Sequence, residues 1–200
     1  MDVVKAENRD YSAVANLHIN EISRGFLSTL GNVFLLRLYE TINKEDGACV
    51  LVARENKDIL GFIAGVIDTK GLFKKIVMKK WMYLLPPLVW YIFRFAVLKK
   101  MVETVMYGFK KKDSSESIGT CTAELLAIAV GKDFQGKGIG RMLLSELEVF
   151  FTSKDISKYK VVTFSLDNQS NKFYTSCDFK QVKSFLHHGN VMNEYIKVIV

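Results

Sequence analysis

Residues 131–141, GKDFQGKGIGR, set four glycines among three cations between two apolar stretches, ELLAIAV before them and MLL after. A strand, a glycine-rich turn and a helix in that order form a cradle for phosphate. Glycines let the backbone approach closely, and the free N–H groups at a helix start point at the anion. Gly131 to Lys137 nearly completes G-x-x-x-x-G-K-[ST], but Gly138 stands where a hydroxyl must bind magnesium, which disfavours a nucleotide hydrolase. The dinucleotide fingerprint G-x-G-x-x-G, counted from Gly136, meets Arg141 in place of its last glycine, on a strand late in the chain. The third pattern present is Q-x-x-G-x-G, given by Gln135, Gly138 and Gly140.

The elements that must position this turn follow from apolar spacing. Val3 and Val4 read as a short strand, and Asp10 as the N-cap of a helix with Ala13, Val14 and Leu17 on one face. Phe34, Leu35, Leu38, Tyr39 and Ile42 recur at helical spacing after Gly31 and Asn32. Residues 49–53 and 59–67, joined by a polar turn, read as an antiparallel hairpin with Gly61 and Gly65 inside it. After strand 123–130 and the turn, Met142, Leu143, Leu144, Leu147, Val149 and Phe150 mark a helix. Residues 161–166 form a strand, 171–174 open a short helix, and 180–186 with 191–200 form a second hairpin around residues 187–190. No internal repeat is present.

Two hundred residues, 49% of them apolar, can bury one substantial core, so a single domain over 1–200 is expected. Cys49, Cys121 and Cys177 are odd in number and widely spaced, which fits neither a disulfide framework nor a zinc site, and no metal is expected. The opening MDVVKAENRD has neither the basic start nor the apolar stretch of a signal peptide, so a cytoplasmic location is expected. The net charge of +7 is concentrated: residues 70–112 hold eleven Lys or Arg against Glu103 alone. That segment also carries WMYLLPPLVWYIFRFAV.

Gln135, Gly138 and Gly140, preceded by ELLAIAV and followed by RMLL, resemble the acyl-CoA signature of the GNAT N-acetyltransferases. The two-helix start, the hairpin VLVARENKDILGFIAG and the late FYTSCDF, similar to the family's F-Y-x-x-x-G-F, follow in the family's order over about three-quarters of the chain. The resemblance implies an α/β (α+β) fold with a mixed, mostly antiparallel sheet, splayed central strands and flanking helices. A predominantly helical insertion over 68–121 would depart from the family's short turn. Asp178 replaces the family's glycine before Phe179; if that position needs φ > 0, Asp tolerates it better than most residues.

The resemblance also implies acetyl-CoA as co-substrate. Its pantetheine arm would lie along Ile128, Ala129 and Val130, and its pyrophosphate on Gln135, Gly136, Lys137, Gly138, Ile139, Gly140 and Arg141. Transfer needs a polarised thioester, a neutral amine and a proton for the departing thiolate. Tyr174 matches the family's general acid. Glu124 takes the place of a general base acting through water, with His18 a weaker competitor. The backbone N–H of Ala129 or Val130 would polarise the carbonyl. Asn168 and Asn171 are candidate donors to the pantetheine amides, although Asp167 holds the place of the family's asparagine.

The acceptor expected is a primary amine of a small molecule, entering beside residues 23–30; the basic insertion suggests an anionic one, such as a nucleotide-linked amino sugar. A protein or peptide N-terminus is an alternative acceptor. The rival class is a non-catalytic acyl-CoA-binding or membrane-associated module. The interrupted apolar stretch is too short for a confident membrane span. Within 72–107 it fits either a peripheral element at a membrane surface or packing on the domain or a homodimer partner. Nucleic acid ranks last, since aromatic and basic residues do not interleave there.

Overall fold

The computed structural model describes residues 1–22, 25–76, 78, 81–84, 121–187 and 189–199. Seven strands form one sheet: β1 (Asp2–Lys5), β2 (Ala48–Glu55), β3 (Asp58–Val66), β4 (Glu124–Val130), β5 (Lys158–Phe164), β6 (Lys180–His187) and β7 (Asn190–Val198). Their order is β1-β2-β3-β4-β5-β7-β6. Every neighbouring pair is antiparallel except β4 with β5. The described helices are α1 (Tyr11–Glu21), α2 (Asn32–Asn43), α3 (Thr69–Lys75), the single turn α4 (Trp81–Leu84), α5 (Ile139–Thr152) and α6 (Asn168–Ser176). Short 3-10 turns lie at Phe26–Leu30 and Lys132–Phe134. This is the mixed, mostly antiparallel α/β architecture expected.

β2 and β3 are apolar on both faces because both are covered. Val14, Leu35 and Leu38 of α1 and α2 pack on Val50, Val52 and Phe62. On the other face Leu143, Leu147 and Phe151 of α5 pack on Ile63, Leu125, Tyr159 and Val161. Gly65 is what lets α5 come close: a Cβ there would lie 2.4 Å from Leu147 Cδ1, and Leu147 is fully buried.

Several helical faces are rotated from the sequence expectation. On α1 the buried residues are Tyr11, Val14, Ala15 and His18, with Ala13 and Leu17 only half-buried. Asp10 precedes α1 but its side chain caps nothing. It accepts instead from the Glu7 N–H at 2.8 Å and pairs with Arg54 at 2.6 Å, joining α1 to β2. On α5, Met142 and Val149 face solvent while Ile139 and Phe151 are buried. Strand β5 begins three residues earlier than expected and ends at Phe164, leaving Leu166 in an exposed turn. Asp178 has φ 66°, so the position does require the left-handed conformation anticipated for it.

Of the basic, apolar segment, residues 85–120 lie outside the described residues, as do the lysines at 79, 80, 99 and 100. Its beginning packs on the domain: Leu72, Ile76 and Leu84 are buried in the α1/α2 cluster. Arg37 of α2 donates to the Tyr83 carbonyl at 2.7 Å, and the Tyr83 hydroxyl donates to Glu40 at 2.5 Å. No helix among the described residues is long and apolar enough to cross a membrane.

Candidate active site

The site begins at a fault in the sheet. Between β3 and β4 the register slips by one residue: Ala64 opposes Ala127 but Gly65 opposes Leu125, leaving Leu126 unmatched on β4. A bulge bends the strand that carries it. At that point β4 also leaves β5, with which it pairs only at Glu124↔Lys160 and Leu125↔Val161. Beyond Leu125 the β5-facing edge of β4, along Ile128, Ala129 and Val130, has no strand partner among the described residues. A wedge lined by backbone donors and acceptors therefore opens toward the glycine turn, as the family resemblance implied.

At the wide end of the wedge, Gly136 and Gly138 have φ 76° and 82°, and no described residue approaches within 4 Å of where a Cβ would sit on either. Gly138 is the N-cap of α5. Among the described residues, the N–H groups of Gly136, Lys137, Gly138, Ile139 and Gly140 have no acceptor, while the carbonyls of Gly131, Lys132 and Gly138 do receive bonds. Five donors at a helix N-terminus make an anion seat. Gly140 has a different task. A Cβ there would lie 3.1 Å from the Phe173 ring, so its absence seats α5 against α6.

The polar side chains of the motif are partly engaged within the protein. Gln135 Nε2 donates to the Val130 carbonyl at 2.9 Å and to Glu21 at 3.3 Å, and its Oε1 accepts from Gln169 at 2.9 Å. Arg141 donates to the Ser176 carbonyl and hydroxyl at 2.8 and 3.1 Å, closing the end of α6. Lys137 lies over the Phe134 ring, 5.2 Å from its centroid.

Tyr174 is buried against Phe173, Phe179 and Tyr195. Burial, and then the nearby Asp167 carboxylate, push its phenol above the usual value, so it keeps its proton. No described residue bonds its hydroxyl. Glu124 precedes Leu125, which enters the α5-side core, so strand alternation turns Glu124 to the α1/α2 face. It accepts from Thr69 Oγ1 at 2.9 Å and lies 3.5 Å from Lys160, which also reaches Glu194 at 4.0 Å. The two catalytic candidates thus flank the sheet from opposite sides.

His18 is a core residue. Its Nδ1 lies 2.5 Å from the Tyr39 hydroxyl, its ring stacks on Phe62, and Nε2 is buried without a partner among the described residues. Burial lowers its pKa to about 4. Asn168 is exposed in the first turn of α6, while Asp167 is that helix's N-cap, accepting from the Ser170 N–H at 3.1 Å. Asn171 is engaged internally: Nδ2 donates to the carbonyls of Phe164, Ser165 and Asp167, and Oδ1 accepts from Asn193 and Tyr195. That network ties the end of β5 to α6 and β7. The Glu21, Gln169, Ser176 and Lys160 contacts have no signature in sequence, because each partner lies at least 34 residues away.

No group of His, Cys, Asp or Glu suited to a metal occurs among the described residues. Cys49 and Cys177 are buried free thiols, with Cys49 pushed up to about 12 by burial, and Cys121 is half-buried.

A family model described as an acetyltransferase (GNAT) domain matches residues 90–181. Among solved structures, a Salmonella typhimurium protein described with its cofactor acetyl-CoA is 16% identical with a TM-score of 0.63, over 100% of this chain and 94% of that one. An N-acetyltransferase from Staphylococcus aureus is 14% identical with a TM-score of 0.63, over 98% and 97%. A ribosomal-protein-alanine N-acetyltransferase from Brucella melitensis is 14% identical with a TM-score of 0.61, over the whole of both chains. Among curated proteins no sequence matches the chain. The family model's match spans the splayed β4 and the five amides after it that have no acceptor among the described residues, and the solved structures share the fold of the whole chain.

Proposed function

We propose that this chain transfers the acetyl group of acetyl-CoA to a primary amine of a small molecule, an amino sugar or nucleotide-linked amino sugar being the preferred class. The observation that carries the donor half is the run of five acceptor-free amides from Gly136 to Gly140 at the mouth of the wedge. They are suited to a pyrophosphate, and the unpaired edge of β4 is suited to amides of an extended arm. Polar backbone pairs with such a chain as with another strand.

In the reaction the amine nitrogen attacks the thioester carbonyl carbon; the C–N bond forms, the C–S bond breaks, and the thiolate leaves. Tyr174 supplies the thiolate's proton, a role that its raised pKa supports by keeping the phenol protonated beforehand. Glu124 takes the proton lost by the amine through a water, on the opposite face of the sheet. The backbone N–H of Val130, on the edge of β4 turned away from β3, faces the carbonyl oxygen as negative charge develops there, the Ala129 N–H lying on the β3 side. The acceptor lies on the α1/α2 side, beside Phe26–Leu30 and the first turns of the basic segment, whose Lys74 favours an anionic molecule, Lys75 being paired with Glu45 at 3.1 Å.

The test is an acetyl-CoA turnover screen across amino sugars, nucleotide-linked amino sugars, polyamines, aminoglycosides and peptide N-termini. Activity confined to cationic amines would sink the anionic acceptor. Activity confined to peptides would move the substrate to the class named for the Brucella neighbour. Acetyl-CoA binding with no turnover on any amine would favour a non-catalytic binding module.

A further inference from the structure

Glu21 ends α1 in an electrostatically adverse place. A carboxylate at a helix C-terminus opposes the helix dipole. This one also sits beside a turn whose free amides suit an anion. Residues that break a local rule without local gain point to a role beyond their own element. Both carboxylate oxygens are used across 111 or more residues of sequence: Oε1 accepts from the Lys132 N–H at 3.2 Å, and Oε2 from Gln135 Nε2 at 3.3 Å. One helical turn earlier, Leu17 Cδ2 lies 3.5 Å from where a Cβ would sit on Gly131. Leu17 and Glu21, four residues apart, therefore present one face of α1 to the start of the turn.

We propose that Glu21 is a positioning residue for acetyl-CoA, aligning the Gly136 to Gly140 amides through Lys132 and Gln135. The proposal rests on the acyl-CoA reading of that turn. Gln135 is the hub of the arrangement. It joins the end of β4 at the Val130 carbonyl, α1 at Glu21 and α6 at Gln169, so one amide side chain references the turn to the helix carrying Tyr174. Glu21 holds the outer side of that hub; it is half-buried and belongs to neither buried cluster of the described residues. Its loss should loosen the turn without unfolding the chain.

The experiment measures acetyl-CoA affinity by isothermal titration, steady-state KM and kcat, and Tm without ligand, for the wild type, Glu21→Ala, Gln135→Ala and the double variant. Expected for Glu21→Ala is a three- to tenfold weaker acetyl-CoA affinity and higher KM, with kcat at saturation within twofold and Tm unchanged or slightly raised. The double variant should add less than twofold to the larger single effect, since the two residues share a hydrogen bond. Affinity equal to or tighter than wild type in Glu21→Ala would overturn the proposal, as would fully additive effects or a loss of affinity matched by a fall in Tm. A wild type that does not bind acetyl-CoA would instead overturn the acyl-CoA reading itself.

Discussion

Tyr174 combines two properties a proton donor to a thiolate needs: a retained proton and an environment that excludes bulk water. Tyr174→Phe keeps the ring contacts with Phe173, Phe179 and Tyr195 and removes only the hydroxyl. The variant should lose about 100-fold in kcat with little change in acetyl-CoA KM, as expected for removal of one general acid. An unchanged kcat would take Tyr174 out of the mechanism. His18 shows the opposite use of burial. Its folded pKa of about 4 lies below the ordinary 6.5, because the core disfavours the imidazolium. Above pH 6.5 both folded and unfolded states hold it neutral and its stability contribution is complete. As the pH falls toward 4 the unfolded chain takes a proton that the folded chain refuses, and about 3 kcal/mol is lost. Urea titrations from pH 7.5 to 4.5 should show this slope, and His18→Phe should flatten it.

Helix packing decides how the anion seat is held. Gly140 brings the start of α5 to within contact of Phe173 on α6, and Arg141 fastens the other end of α6 at Ser176. Gly140→Ala would press a methyl on the Phe173 ring at 3.1 Å and push the two helices apart. Acetyl-CoA KM should rise severalfold in that variant. A wild-type KM would mean that α6 gives way freely. Gly65→Val tests the opposite face of α5. The added side chain would meet fully buried Leu147 and should cost about 1–3 kcal/mol of stability by overpacking, read as a lower urea midpoint. The site fault itself is an element-scale feature: one unmatched residue, Leu126, coincides with the end of β4–β5 pairing.

At the scale of the whole chain, the proposed reaction has one sheet between its two halves. Its donor side would be built by β4, the turn, α5 and α6, and its acceptor side by α1, α2 and the start of the basic segment. Saturating acetyl-CoA should therefore stabilise the entire fold. At 100 times its Kd, a ligand that binds only the folded state adds about 2.7 kcal/mol, a rise in Tm of about 5–10 °C for a chain of this length. No shift with acetyl-CoA would refute the donor assignment. The basic segment is anchored by Leu72, Ile76 and Leu84 in the α1/α2 core. Removing residues 85–107 should thus leave a more stable protein than removing 72–107, by thermal melts of the two deletions. Co-sedimentation of the shorter deletion with anionic vesicles, against the full chain, separates the membrane-surface reading of the segment from the packing one.

The strand, turn and helix around QGKGIGR were legible because their cues are local. Glycine at 136 and 138 marks positive φ, apolar alternation marks ELLAIAV, and the order of the two predicts free amides at a helix start. Asp178 was legible for the same reason, as a short polar side chain at a left-handed position. What Gln135, Arg141 and Asn171 do was not legible. Side chains that could all donate to a ligand on sequence grounds bond instead to Glu21, Gln169, Ser176, Asn193 and Tyr195, partners set by how helices dock on the sheet. The role of Asp10 and the buried face of α1 were likewise decided by Arg54 and Phe62 across the fold rather than by spacing. The sequence determined the glycine turn and its flanking elements, since backbone conformation depends on neighbouring residues. The tertiary structure decided which of the turn's polar groups stay free for an anion, since a hydrogen bond depends on what distant chain arrives within 3 Å.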